Sequence, residues 1–293
     1  MIVKDEEKAK AFLLRVNYSR LRPYWHPFEV REEDEHRFLD GTTFEDVVRL
    51  YEFDRALRLH ILGAIERIEI ALRTRWAYYF SEQLGPFAYL DFKWYRDLNR
   101  FRLGMDSLRK SWHAHKDHDP VLQHFDRDYV EDLPPLWLAV ELLTFGELVS
   151  WISNLDRKKP ELQPVFKGLK SGLGITAGAL IKLFPHLRHV RNLAAHHARL
   201  WDRKLTAYTL SAPRKGDPEL LEALKAAQPG KSQHLYRTLV VLAHLSSRLV
   251  GNCTWAEDLC RLFAQYRPML DRMGFPPDWQ DLSFWKVLCP RKA

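Results

Sequence analysis

The chain has 293 residues, enough for a sizeable core, and 46% of them are hydrophobic, which excludes a disordered protein. Its net charge of +7 suits a polyanionic partner only weakly, because 38 acidic residues accompany 45 basic ones, so local clusters must carry the argument. The stretch Met1 to Glu7 is charged and lacks an apolar signal core, and no run approaches the roughly 18 apolar residues of a membrane span. Cys253, Cys260 and Cys289 form no Cys-x2-Cys pair and read as reduced thiols. These features predict a cytoplasmic protein without a membrane partner.

Residues 5–16 read as a short helix. Pro23 and Pro27 rule out a continuous helix over 17–28, and the aromatic density there predicts a segment packed on the main body, with Arg20 and Arg22 able to face RNA. Thr42 or Thr43 can cap a long helix from Phe44, with Glu45 and Asp46 in its first turn. Leu57, Ile61, Ile65, Ile68 and Leu72 form its core stripe, Glu69 and Arg73 pair on its outer side, and Gly85-Pro86 ends it. Residues 88–115 predict helix with breaks. There, His113-x-His115-x-Asp117-His118 matches a hydrolase zinc signature, and these residue types are good zinc ligands. The flanks show no strand alternation, so a solvated polar loop is expected, with neither metal nor cofactor.

Pro134-Pro135 opens a further helix, with Trp137, Val140, Leu148, Trp151 and Leu155 on its buried side. Gly168, Gly172 and Gly174 mark a loop, and a helical segment starts near Ile175, broken or restarted at Pro185. Residues 188–203 follow, with four arginines and three histidines. Leu187, Val190, Ala194, Ala198 and Trp201 recur every three or four residues and predict one buried helical stripe, with Arg191, Asn192, His196 and His197 beside or opposite it. After Arg203 a loop, three helices ending near Tyr266 and a tail strap are expected, one of them capped by Ser232. No strand-length alternation or repeat appears.

The chemistry of the 188–203 stretch suits RNA cleavage without a metal. RNA carries its own nucleophile, the ribose 2′-OH. Histidine exchanges protons near neutral pH, and arginine grips phosphate oxygens as a fork. Arg191 and His196 form an Arg-x4-His pair with Asn192 directly after the arginine, and this resembles the Arg-x4–6-His motif of HEPN ribonucleases. Five residues along a straight helix rotate by roughly 140°, so the pair does not share a face. A distorted helix, a curled arginine or a second subunit must complete the site.

Three separated stretches point to one family. They are Tyr51-Glu52-Phe53-Asp54-Arg55-x-Leu57-Arg58 with Ile68 to Arg73, Pro134-Pro135-Leu136-Trp137 with Glu141 and Phe145-Gly146, and Arg191-Asn192-x3-His196-His197-x-Arg199-Leu200-Trp201. Together they resemble the Abi-like (AbiD/AbiF-type) abortive-infection family of bacterial phage-defence proteins, within the HEPN ribonuclease superfamily, over roughly residues 10–205. The opening Asn17-Tyr18-Ser19-Arg20-Leu21 with Tyr24 and Pro27-Phe28 is similar to that family's aromatic segment.

The resemblance implies an all-α, HEPN-type helical bundle over 1–205, with 206–293 as a C-terminal helical extension packed on the same body. It implies a metal-independent endoribonuclease acting as a phage-defence toxin, with Arg191 and His196 catalytic and Asn192 and His197 in support. Arg188, Arg199 and Arg203 are expected to bind RNA, and a homodimer to form through the motif helix, where Ala194 and Ala195 allow close approach. An antitoxin or a small non-coding RNA is a further partner of the kind the resemblance allows. Asp202 departs from the Asn of many relatives and could pair with Arg199 or Arg203. The alternative is a non-catalytic RNA-binding protein on a HEPN scaffold that holds a structured small RNA. A third reading is a helical protein whose polar cluster fills a dimer interface.

Overall fold

The 41-residue helix Phe44–Leu84, α3, is the axis of the molecule. At about 1.5 Å per residue it runs roughly 60 Å. It starts in a capping box, in which Thr43 and Asp46 satisfy each other's backbone N–H groups, and stops at Gly85. Along it Leu50, Asp54, Leu57, Arg58, Ile61, Ile65, Ile68, Leu72 and Trp76 are buried at three- and four-residue spacing. The computed structural model describes residues 1–30, 37–128, 131–206, 215–251 and 254–289. Among these it is all-α: thirteen helices, no strand, and isolated β-bridges only. No helix among them is long and apolar enough to cross a membrane. The predicted Cys253 thiol lies outside the described residues.

The N-terminal pieces are α1 (Glu6–Arg15) and α2 (Tyr18–Trp25), the latter continued by a 3-10 turn. Pro23 sits inside α2, against the expectation of a break. The carbonyl whose helical donor it removes belongs to exposed Ser19, while Leu21, Tyr24 and Trp25 anchor the helix in the core. Helices α4 (Leu98–His115) and α5 (Pro120–Asp128) follow α3. His113 and His115 lie on the last turn of α4, exposed, rather than in the expected loop; among the described residues no group of acids, histidines and cysteines is arranged to hold a metal ion.

The predicted helix from Pro134 is two pieces, α6 (Leu136–Ala139) and α7 (Phe145–Asn154), separated by a 3-10 turn and extended Leu143. Thr144 and Glu147 make a second capping box, and this restart signal explains the break. Trp137 is 57% exposed, not buried as expected. The Glu69–Arg73 pair is also inward: Arg73 is nearly covered and donates to the carbonyls of Val140 and Leu143, tying the connector to α3.

Helix α8 (Gln163–Leu169) incorporates Gly168, expected in a loop, because α8 packs on Tyr79 of α3 so closely that no side chain fits. Helix α9 (Ala177–Ala195) runs through Pro185 without interruption. Buried Phe184, His186 and Leu187 around the proline hold it helical by packing, which overrides propensity.

Beyond residue 205 come α10 (Pro218–Lys225), α11 (Tyr236–Leu249), α12 (Thr254–Tyr266) and α13 (Ser283–Leu288). The start of α11 has no side-chain cap, so Ser232 does not serve there. Helices α11 and α12 pack on α3 beside α8 and α9. Phe53 of α3 meets Phe263 and Tyr266, and His60 stacks on Trp255 at 4.6 Å. A disulfide joins Cys260 to Cys289 and fastens α13 to α12. This corrects the reading of both as reduced thiols; sequence spacing alone does not reveal a bridge that two separate helices bring together.

Candidate functional site

The predicted single helix over 188–203 does not exist. Helix α9 ends at Ala195, with His196 as its cap. His197 takes a left-handed conformation, φ 57°. The His197 N–H donates to the Ala194 carbonyl at 3.0 Å, and the Ala198 N–H to the Leu193 carbonyl at 2.8 Å. That is the Schellman arrangement, with histidine in the place where glycine is usual. The chain then turns away from the axis, and Leu200 and Trp201 enter the core.

This termination answers the rotation argument. Arg191 and Asn192 leave the last full turn of α9, and His196 and His197 form the turn that closes it. All four are exposed rather than close to the core. Arg191 Nη1 lies 3.5 Å from Asn192 Oδ1. Among the described residues neither Arg191 nor His196 forms an ion pair, and no hydrogen bond joins them to each other. Ala194, expected at a dimer seam, is buried within its own chain; Ala195 is half-buried.

The segment after the turn is held from three sides. Asp54 of α3 is fully buried and accepts from the backbone N–H groups of Leu200 (3.1 Å) and Trp201 (2.7 Å). The Tyr24 hydroxyl donates to it at 2.6 Å, and the Arg58 guanidinium pairs with it directly. Burial pushes the Asp54 carboxyl up, while Arg58, Tyr24 and the two N–H groups pull it down. From the N-terminal side, Arg20 Nη2 donates to the His197 carbonyl at 2.6 Å, and Arg199 Nη1 to the Pro23 carbonyl at 3.3 Å. From the C-terminal side, Arg272 pairs with Asp202 at 3.1 Å, and His234 Nε2 lies 4.0 Å from it. Asp202 therefore does not neutralise Arg199 or Arg203, as its sequence position suggested. It too is left-handed, φ 50°.

The electrostatic result is a positive neighbourhood. Arg20, Arg199 and Arg203 spend donors on backbone carbonyls, the last on Arg199 at 3.4 Å, and a carbonyl cancels no charge. Among the described residues, two acids that hold this segment, Asp54 and Asp202, are engaged by Arg58 and Arg272. Arg188 lies against Gly146 of α7. His189 registers the field: burial holds its pKa below the ordinary value, and the charges of Arg203 and Arg188 push it the same way.

The structure thus gathers Arg188, Arg191, Asn192, His196, His197, Arg199 and Arg203 at one end of α9, on a helix end, a turn and the strand of chain leaving it. Sequence reasoning gave no role to Tyr24, Asp54, Arg58 or Arg272. For Asp54 and Arg58 a signal existed: they stand four apart on the apolar stripe of α3, at positions meant for the core.

A family model described as Abi-like protein matches residues 11–202. No curated protein and no solved structure matches the chain.

Proposed function

Since the chain belongs to the Abi-like protein family, we propose that it is a metal-independent endoribonuclease of the HEPN type, acting as a phage-defence toxin. The observation that carries this reading is the exposed Arg191–Asn192 and His196–His197 turn beside Arg20, Arg199 and Arg203, whose donors go to neutral backbone carbonyls. Such a surface attracts a polyanion. Two exposed imidazoles at its centre give it proton-transfer chemistry.

The reaction needs no group the chain lacks. The ribose 2′-oxygen attacks the adjacent phosphorus, and the bond from phosphorus to the 5′-oxygen breaks. One base takes the 2′-OH proton, and an acid gives one to the departing 5′-oxygen. The products are a 2′,3′-cyclic phosphate and a 5′-OH. His196 handles a proton in this scheme, and Arg191 stabilises the charge building on the phosphoryl oxygens. Asn192 and His197 support the pair, and Arg188, Arg199 and Arg203 hold the flanking backbone. Because no hydrogen bond joins Arg191 to His196 within one chain, a symmetric homodimer through this end of α9 supplies the second set of groups. An antitoxin or small non-coding RNA is a further partner consistent with this role, and the cytoplasm is where such a substrate is met.

His196→Ala decides between the nuclease and a protein that only holds RNA. The expected result is loss of cleavage with RNA binding retained. Wild-type cleavage should persist in excess chelator and fail on a substrate with 2′-hydrogen at the cut position. Cutting of that deoxy substrate, or undiminished cleavage by His196→Ala, overturns the mechanism.

A further inference from the structure

We propose that Arg20 is a phosphate-binding residue of the RNA site, delivered to the His196–His197 turn by α2; this rests on the reading above. Arg20 lies 177 positions from His197 in the sequence, yet its Nη2 donates to the His197 carbonyl at 2.6 Å. A guanidinium has five N–H donors, and that contact uses one. Its partner is neutral, no carboxylate among the described residues pairs with Arg20, and the side chain is exposed. The charge is therefore intact, and donors remain to take the two oxygens of a phosphate.

The placement is fixed rather than incidental. Asn17 caps α2 by accepting from the Ser19 N–H, and Leu21, Tyr24 and Trp25 are buried beneath it. The Tyr24 hydroxyl shares Asp54 with the backbone N–H groups of Leu200 and Trp201, and Pro23 accepts from Arg199. Thus α2 and the chain leaving the turn are locked through the same buried carboxylate. Arg20 is held by one donor at the edge of the turn, with its fork pre-arranged, which lowers the entropy lost on gripping a phosphate. The ligand this chemistry selects is the RNA backbone at a nucleotide next to the cut. A guanine edge also fits an arginine fork and would show as a preference for guanine at one position, whereas a phosphate contact carries no sequence preference.

The test uses the full chain carrying His196→Ala, so that RNA is bound and not cut, with a labelled single-stranded RNA titrated from about 50 to 200 mM salt. Arg20→Ala and Arg20→Gln should each weaken binding severalfold at the lower salt. Each should reduce the slope of log affinity against log salt by about 0.7, the value for one phosphate on a single strand. Arg20→Lys should keep the slope. The Gln variant separates two roles: it can still donate to the His197 carbonyl but carries no charge. A slope unchanged in both Ala and Gln variants, with helical content preserved, overturns the assignment. If the starting protein shows no salt-dependent affinity for RNA, the ribonuclease reading falls and takes the assignment with it.

Discussion

Two residues near the candidate site, His197 and Asp202, hold left-handed backbone conformations that glycine adopts without cost. For other residues the left-handed region costs about 1–2 kcal/mol, from the approach of Cβ to the following carbonyl. His197 accepts that penalty at the C′ position of α9, where its N–H and that of Ala198 close the helix. His197→Gly should therefore raise stability by about 1 kcal/mol, measured by urea unfolding, with the turn retained. A variant less stable than the parent would show that the imidazole makes a contact worth more than the strain it imposes. The strain also explains why the turn was illegible in the sequence. The stripe Leu187, Val190, Ala194, Ala198, Trp201 continues in helical register past the point where the helix stops. Nothing in His196-His197-Ala198 carries the Gly or Pro that usually signals a stop. The arginine–histidine pair itself was legible because its chemistry is written in residue types. The clamp that holds the turn was not, since Asp54 and Arg20 lie 146 and 177 positions from the N–H and carbonyl groups they bind in the chain.

At the scale of elements, glycine separates intrinsic propensity from packing. Gly63 and Gly168 both lie inside helices, where alanine is normally better by up to about 1 kcal/mol. A Cβ on Gly63 would meet nothing within 4 Å, whereas one on Gly168 would sit 2.3 Å from the Tyr79 ring of α3. Gly63→Ala should therefore stabilise by about 0.5–1 kcal/mol, and Gly168→Ala should destabilise by about 1–3 kcal/mol, as overpacking does. Chemical denaturation of both variants checks the signs; equal effects would mean that α8 does not approach α3 as closely as described. The same competition accounts for the element-level expectations that failed. Pro23, Pro185 and Gly168 read as breaks by local rules, and each lies in a helix fixed by buried neighbours. The long periodic helix α3 and its Thr43 cap were legible because period, cap and acidic first turn all agree there.

At the scale of the whole molecule, the residues matched by the Abi-like family and the helices beyond them are joined by histidines. His60 of α3 bonds the Trp255 carbonyl at 2.9 Å and receives the Trp255 indole N–H on its own carbonyl at 3.0 Å. His186 of α9 meets Thr238 of α11 at 2.8 Å, and His244 of α11 bonds the Leu173 carbonyl at 2.7 Å. His234 sits beside Asp202, just past the motif. Burial lowers the pKa of His60, His234 and His244 below the ordinary 6.5. The sign follows from proton counting. An unfolded chain takes up these protons as pH drops through about 6.5, while the folded chain takes them up only at lower pH, so it binds fewer protons in between. The stabilisation is fully present above that pH and is lost on acidification, at up to about 1.4 kcal/mol per pH unit for each histidine. Urea unfolding should thus give similar stability at pH 7.5 and 8 and a steady fall from pH 6.5 to 5.5. His60→Gln should flatten that fall by about one histidine's share, because glutamine can still bond the Trp255 carbonyl without a proton to gain. If stability is level across pH 5.5–6.5, or if His60→Gln leaves the slope unchanged, then acid does not act at the seam where the C-terminal helices dock.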